Sequence, residues 1–333
     1  MKAIRIEEHG GPEVLKTVDI DEPQCGHHEV MVEVTHVGLN HLDVWVRKGV
    51  EGHPFPLPLI SGSDVVGIRT DTGEPTALFP AQSCLVCDAC ATGRHDLCRK
   101  YLIRGEGFDG GCCERIAVPS WQLLPCPIAP EQAAAIPLSL LTAWHMLVTR
   151  ARVAPGDLVL VQAGASGVGS LAIQVARLCG ARVVATASTE AKRSLCLDLG
   201  AEEAWAYEEA SSELRRWTKR KGIDIVVEHV GAATWKDSLR ALRWGGTLVT
   251  CGATAGHKVE LDLRVLFFKQ LSLLGSTMGS LGEMRQAWQA VTDGRIVPVV
   301  DRVLPMSELG RAHELLETRK VGGKVVVHQD LSK

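Results

Sequence analysis

Between Leu158 and Ser276, six short apolar runs alternate with helical periods, and this alternation constrains the fold more than any other feature of the chain. The runs are LVLVQ (158–162), ARVVATA (181–187), EEAWAY (202–207), IDIVVEHVG (223–231), GTLVTCG (246–252) and LSLLGS (271–276). Runs this short, without polar alternation, suit strands buried on both faces. The segments between most of them read as helices. The first carries Leu171, Val175 and Cys179 on one face and is closed by Gly180; the second begins near Glu190 and stops at Gly200. Parallel strands joined by such helices predict an α/β, doubly wound, six-stranded parallel sheet of the Rossmann type.

The first ~125 residues follow another period. Val30, Val32 and Val34 alternate with Met31, Glu33 and Thr35, as in a half-buried strand, and proline and glycine punctuation is dense, as in HPFPLPLISGSD (53–64). This half is expected to be a loop-rich β barrel or sandwich. The tail from about residue 275 carries one or two helices and a final strand, GKVVVH, expected to return to the first domain. The resulting boundaries are 1–127 with 276–333 for the β-rich domain, and 128–275 for the dinucleotide-binding domain. A length of 333 residues suffices for both cores.

A formal net charge of −3 argues against a nucleic-acid binder working by bulk electrostatics. The basic run RRWTKRK (215–221) follows acidic residues and reads as a solvated helix face, with RNA contact as its alternative. No apolar run approaches the ~18 residues of a membrane span, and the opening MKAIRIEE alternates like a strand. The chain has 11 cysteines, an odd number, several of them in apolar runs, so a reducing cytoplasm with free core thiols is expected.

Four of these thiols are clustered. Cys84, Cys87, Cys90 and Cys98 stand at C-x2-C-x2-C-x7-C in a loop rich in Gly and Asp. This set suits the tetrahedral four-sulfur geometry of a structural zinc, against the rival readings of a disulfide pair or a redox dithiol.

The segment after the first strand, Gly164-Ala165-Ser166-Gly167-Val168-Gly169, opens a helix and carries the spacing of a dinucleotide loop, with Ser166 at the usual middle glycine. Such a loop lets backbone approach a pyrophosphate seated on the helix N-terminus. At the end of the second strand the residue is about Ala187, followed by Ser188, Thr189, Lys192 and Arg193, where NAD sites usually place a carboxylate. Hydroxyls and cations there favour a 2′-phosphate, hence NADPH over NADH; Glu190 is the contrary sign.

With these residues in place, the chain resembles the medium-chain dehydrogenase/reductase superfamily along its length. The landmarks are GLNHLDVWVRKG (38–49), PLPLISGSDVVG (56–67), the cysteine knot, AAAIPLSLLTAWHML (133–147), the glycine loop and GKVVV. The resemblance is nearest to the quinone-oxidoreductase-like branch. It implies a GroES-like substrate domain, reaction in the cleft between domains, and a homodimer or homotetramer. It further implies cofactor contacts at Thr142, Tyr207, His229, Val230, Cys251, Gly252, Ala253, Thr277 and Met278. Zinc alcohol dehydrogenases of the superfamily hold a catalytic zinc on three ligands; here those positions are Asn40, Ser63 and about Leu138, and the proton-relay position is Leu42. The resemblance therefore implies a structural zinc without a catalytic one, with His36, His41 and His53 the remaining candidates nearby. The segment between Gly67 and Cys84 is shorter than the family pattern, which leaves its strand pairing open.

Without catalytic zinc, hydrogen-bond donors must carry the developing charge, and Asn40 and Ser63 are the candidates, with Asp43 beside them. Delocalised acceptors ask least of such donors. The expected reaction is NADPH-dependent reduction of a conjugated carbonyl or quinone. A zinc alcohol dehydrogenase and a non-catalytic NADPH-binding protein are the alternatives.

Overall fold

The computed structural model describes residues 1–331. Contacts divide the chain into two units, Met1–Ser139 with Ser280–Lys333, and Leu140–Gly279. Both divisions fall later in the chain than the expected 127/128 and 275/276. The reason for the first is the short helix Pro130–Ala134, which packs on strands Glu29–Gly38 and Asp64–Arg69 of the β-rich unit. It lies so close that a Cβ on Gly38 would stand 1.9 Å from the Ala134 carbonyl oxygen, so only glycine fits there.

The β-rich unit is organised around strand Glu29–Gly38. It pairs antiparallel with Asp64–Arg69, Arg115–Pro119 and Lys324–His328. The shortened segment after Gly67 forms a hairpin, with Pro75–Leu78 antiparallel to Asp64–Arg69. The tail does return to this unit. Its strand Lys324–His328 places Val325, Val326 and Val327 in the interior, and Val300–Pro305 runs parallel beside it. Each buried valine contributes about 1.5–3 kcal/mol, so this short strand is held chiefly by packing. The strand Val300–Pro305 was not expected; its VDRVLP pattern is half-exposed and carries Asp301 and Arg302, which masks an edge strand.

The second unit is the predicted sheet, all parallel, with its strands in the spatial order Glu203–Trp205, Arg182–Thr186, Leu158–Val161, Ile223–Glu228, Leu242–Thr250, Ser272–Gly275. The order reverses beside Leu158–Val161, the switch point at which such sheets bind ligands. Helix Pro137–Trp144 ends in a π turn, His145–Arg150, with His145 packed inside. The basic run lies at the end of helix Tyr207–Trp217; Trp217 meets Trp205 edge-on and takes the Arg182 guanidinium over its ring. Among the described residues no helix is long and apolar enough to cross a membrane.

Candidate active site

In the β-rich unit, strand Glu29–Gly38 runs into Asn40, which begins helix His41–Lys48. The Asn40 backbone N–H donates to Asp43 Oδ2 at 2.7 Å, and Gly62 N–H donates to Asp43 Oδ1 at 3.0 Å. Asp43 therefore clamps two backbone segments. Burial pushes its carboxyl up to about 6, with the Asn40 amide and the Lys324 ammonium opposing.

Asp64, one residue beyond Ser63, gathers the rest. Its Oδ1 accepts the Leu138 N–H at 2.6 Å, and its Oδ2 accepts Asn40 Nδ2 at 3.0 Å and Lys324 Nζ at 2.9 Å. Lys324 Nζ also donates to Asn40 Oδ1 at 2.6 Å, and Ser139 Oγ donates to the same oxygen at 3.4 Å. Asn40, Asp64, Ser139 and Lys324 are all buried. The Ser63 hydroxyl is buried without a protein partner among the described residues. Asn40 and Leu138, two of the three positions singled out by sequence, thus meet through Asp64, and Ser63 adjoins it in the chain. Lys324 was missed. Its signal was a lysine heading the buried run VVV, matched by Asp64 heading VVG.

The three histidines do not share a site. His36 lies on strand Glu29–Gly38 opposite His328, His41 opens its helix, and exposed His53 stands 4.0 Å from Glu106. Among the described residues only Cys84, Cys87, Cys90 and Cys98 form a group of three or more metal-ligating side chains, with all sulfurs within 4.8 Å. Sulfurs about 2.3 Å from a zinc lie roughly 3.8 Å apart at tetrahedral corners. Cys84 stands 3.5 Å from Cys98 and 3.9 Å from Cys90, so the donor set fits. The Val86 and Cys87 amides draw the Cys84 thiol down to about 6. The Cys90 amide favours the Cys87 thiolate too, yet the neighbouring Cys84 sulfur holds Cys87 up at about 11. Four thiols crowded in this way cannot all ionise without a cation, and a structural zinc is the ion they can hold.

In the second unit, helix Gly167–Leu178 begins at the carboxyl end of strand Leu158–Val161. Ser166 explains its place in the fingerprint: its Oγ caps the helix by accepting Gly169 N–H at 3.0 Å, and it bonds His229 Nε2 at 3.0 Å. Gly169 admits no side chain, because a Cβ would meet the Ala163 carbonyl at 2.3 Å. The other first-turn amides of this helix, Gly167 and Val168, have no intrahelical acceptor and suit an anion. His229 Nδ1 and Ser276 Oγ, just beyond the carboxyl ends of strands Ile223–Glu228 and Ser272–Gly275, which flank Leu242–Thr250, are buried without protein partners among the described residues. Such orphaned groups fit a polar ligand along this edge. Burial holds the His229 imidazole below the ordinary histidine range, with Glu228 opposing.

Glu228 closes the edge from beneath. It accepts Val230 N–H, Gly231 N–H, Thr234 Oγ1 and Ser238 Oγ, at 2.6 to 3.0 Å. Ser238 also takes Gln162 Nε2 at 3.0 Å, and Gln162 Oε1 accepts Thr186 Oγ1 at 2.6 Å. One buried polar chain therefore joins the ends of three strands under the glycine loop, none of it anticipated from sequence.

The remaining expected contacts fall on the same side of the sheet. Thr189 caps helix Glu190–Asp198 by accepting Lys192 N–H, with Ser188 exposed beside it. Tyr207 is the half-buried first residue of its helix. Cys251, Gly252 and Ala253 follow strand Leu242–Thr250, with Thr254 Oγ1 donating to the His229 carbonyl. Thr142 Oγ1 reaches Met278 Sδ at 3.9 Å, and Thr277 is exposed.

Comparison with known proteins agrees with this arrangement. Residues 167–293 match the family model described as zinc-binding dehydrogenase, and residues 26–128 the alcohol dehydrogenase GroES-like domain. A crystal structure of an NAD-dependent alcohol dehydrogenase superposes with a TM-score of 0.94 and is 42% identical, covering 98% of this chain and 99% of its own. The chain belongs to the medium-chain dehydrogenase/reductase superfamily and is an oxidoreductase. Within it, the chain falls in the quinone-oxidoreductase-like branch. Human quinone oxidoreductase is 28% identical over 98% of this chain and 97% of its own. The crotonyl-CoA carboxylase/reductase AntE, solved in complex with NADP, is 26% identical with a TM-score of 0.90, covering 98% of this chain and 94% of its own.

Proposed function

We propose that this protein uses NADPH to reduce a conjugated carbonyl or a quinone by hydride transfer, without a catalytic zinc. The observation that carries the reading is the occupancy of Asn40. Its carbonyl oxygen, the one atom at the three inherited ligand positions able to meet a metal well, is already taken by the Lys324 ammonium. What remains for a substrate oxygen is donor chemistry: an Asn40 amide hydrogen and the unpartnered Ser63 hydroxyl. A well-placed donor contributes about 2.7–4 kcal/mol to stabilising developing negative charge. An acceptor that spreads this charge into an enolate or a quinol needs no more. NADPH held at the glycine loop would supply hydride to the β-carbon or the quinone, and a proton from solvent would complete the reduction.

Binding of the dinucleotide falls to Gly164 through Gly169, with Ser166 and His229 shaping the loop and Val230, Cys251, Gly252, Ala253, Thr277 and Met278 along the strand ends. Preference for the 2′-phosphate rests on Ser188, Thr189 and Lys192 at a helix N-terminus, with no carboxylate at the strand end. One structural zinc on the four cysteines, a reducing cytoplasmic setting for the seven thiols outside that set, and a homodimer or homotetramer complete the reading. The exposed edge strand Ser272–Gly275, with Trp244, Leu263, Phe267 and Phe268 exposed in the same unit, supports self-association.

The test is NADPH oxidation against 1,4-quinones, enals, enones and simple ketones, with zinc counted per chain. Turnover of conjugated acceptors with one zinc is the expected result. The 42% likeness to an NAD-dependent alcohol dehydrogenase favours a second reading, which predicts NADH preference and turnover confined to alcohols and simple ketones.

A further inference from the structure

We propose that Lys324 is the positioning residue of this site: its ammonium locks the Asn40 amide in one orientation and sharpens that amide as a hydrogen-bond donor. The argument begins with the valences of the side chain. An asparagine offers two acceptor sites on oxygen and two donors on nitrogen. Both acceptor sites of Asn40 are filled, by Lys324 Nζ at 2.6 Å and Ser139 Oγ at 3.4 Å. One N–H is spent on Asp64 Oδ2 at 3.0 Å. A single N–H is left uncommitted.

The reverse amide orientation is excluded electrostatically. Turning the group over would set its NH2 against the ammonium and its carbonyl oxygen against the Asp64 carboxylate. The carboxylate cannot turn away, because Leu138 N–H holds its other oxygen at 2.6 Å. The ammonium also withdraws electron density from the amide oxygen, so the remaining N–H becomes a stronger donor, as in any polarised hydrogen-bond chain of low dielectric. Composition adds an independent sign: among 333 residues, Asn40 is the only asparagine. The role of its N–H toward a substrate oxygen rests on the reading under Proposed function; the locking by Lys324 does not.

The single asparagine makes the test direct. Protein labelled with 15N-asparagine gives one side-chain NH2 signal. In the wild type two well-separated proton lines are expected, and in Lys324→Met the pair should shift and broaden as the amide begins to turn. Steady-state NADPH oxidation with 1,4-naphthoquinone should lose about 100-fold in kcat, the scale on which a misplaced catalytic group costs rate, with KM near the wild-type value. The double variant Lys324→Met/Asp64→Leu removes both charges without adding a second asparagine; it should recover thermal stability but not kcat, and it carries the NMR comparison if the single variant does not fold. An Asn40 signal unmoved by loss of Lys324, or kcat returning with stability in the double variant, overturns the proposal. Should the wild type oxidise NADPH with no conjugated acceptor, the functional reading fails, and the Asn40 signal alone decides the role of Lys324.

Discussion

The β-rich unit contains two clusters of strongly polar side chains that solve the same electrostatic problem in opposite ways. The lobe at residues 84–98 assembles four sulfurs with no cation of its own, so it is complete only with an imported ion. The Asn40–Asp64–Lys324 cluster carries its cation on the chain, 260 residues away in sequence. An imported ion can be chelated away; a lysine cannot. The comparison teaches that one cluster ties local folding to metal supply, whereas the other is indifferent to it.

The largest effect that would break this contrast is metal removal. Structural zinc binding is on the order of 10 kcal/mol, and it is folding free energy where the site does not preform. Cys98→Ser or strong chelation should take zinc from one ion per chain to none and open residues 84–98 to limited proteolysis. A lobe still protected after metal loss would contradict the imported-ion account. Next in size is the internal pair. Lys324→Met or Asp64→Leu alone should cost about 3–5 kcal/mol in urea unfolding, because each leaves a buried charge unpaired, and the double variant should cost far less. Equal losses in all three would mean that the side chains matter only by shape.

A third buried group has neither solution, which sharpens the contrast. His313 is fully enclosed, both ring nitrogens lack protein partners among the described residues, and burial, aided by Arg47, holds its imidazole down at about 3. The unfolded chain therefore binds the proton first, and stability is lost as pH falls from about 6.5 toward 3. Asp43 works in the opposite sense: with its carboxyl up at about 6, stability is lost as pH rises from about 4 to 6. His313→Leu isolates the first term. Its stability relative to wild type should improve by roughly 2–3 kcal/mol between pH 7 and pH 4.5, at about 1.4 kcal/mol per pKa unit. A parallel pH course for the two proteins would remove His313 as the source. The smallest effect is the exposed pair Arg216–Glu213, 2.8 Å apart on a helix surface. Arg216→Ala should change stability by under about 0.5 kcal/mol, and a loss comparable to that of Lys324→Met would erase the distinction between buried and exposed pairs.

The parts legible in sequence were those with a short-range signature. The six-stranded sheet showed itself through runs such as LVLVQ, the zinc set through four cysteines within fifteen residues (84 to 98), and the dinucleotide loop through Gly164 and Gly169. What escaped was assembled at long range. Lys324 joins Asn40 and Asp64 only after the last strand has paired with Glu29–Gly38, and Gln162, Thr186, Ser238 and Glu228 meet only across three strand ends. The domain boundary slipped for a similar reason. Helix Pro130–Ala134 reads as the start of the α/β region, yet it belongs to the sheet under which Gly38 makes room for it.

The return of the final strand sets a timetable for biosynthesis. Asp64 leaves the ribosome 260 residues before Lys324, a delay of roughly 13–50 s at ~5–20 residues per second. Throughout that interval the nascent amino-terminal half holds an unneutralised carboxylate and an open edge on strand Glu29–Gly38. Its hydrophobic interior can close only when the last segment arrives, so truncation before residue 324 should yield a chaperone client rather than a smaller stable domain.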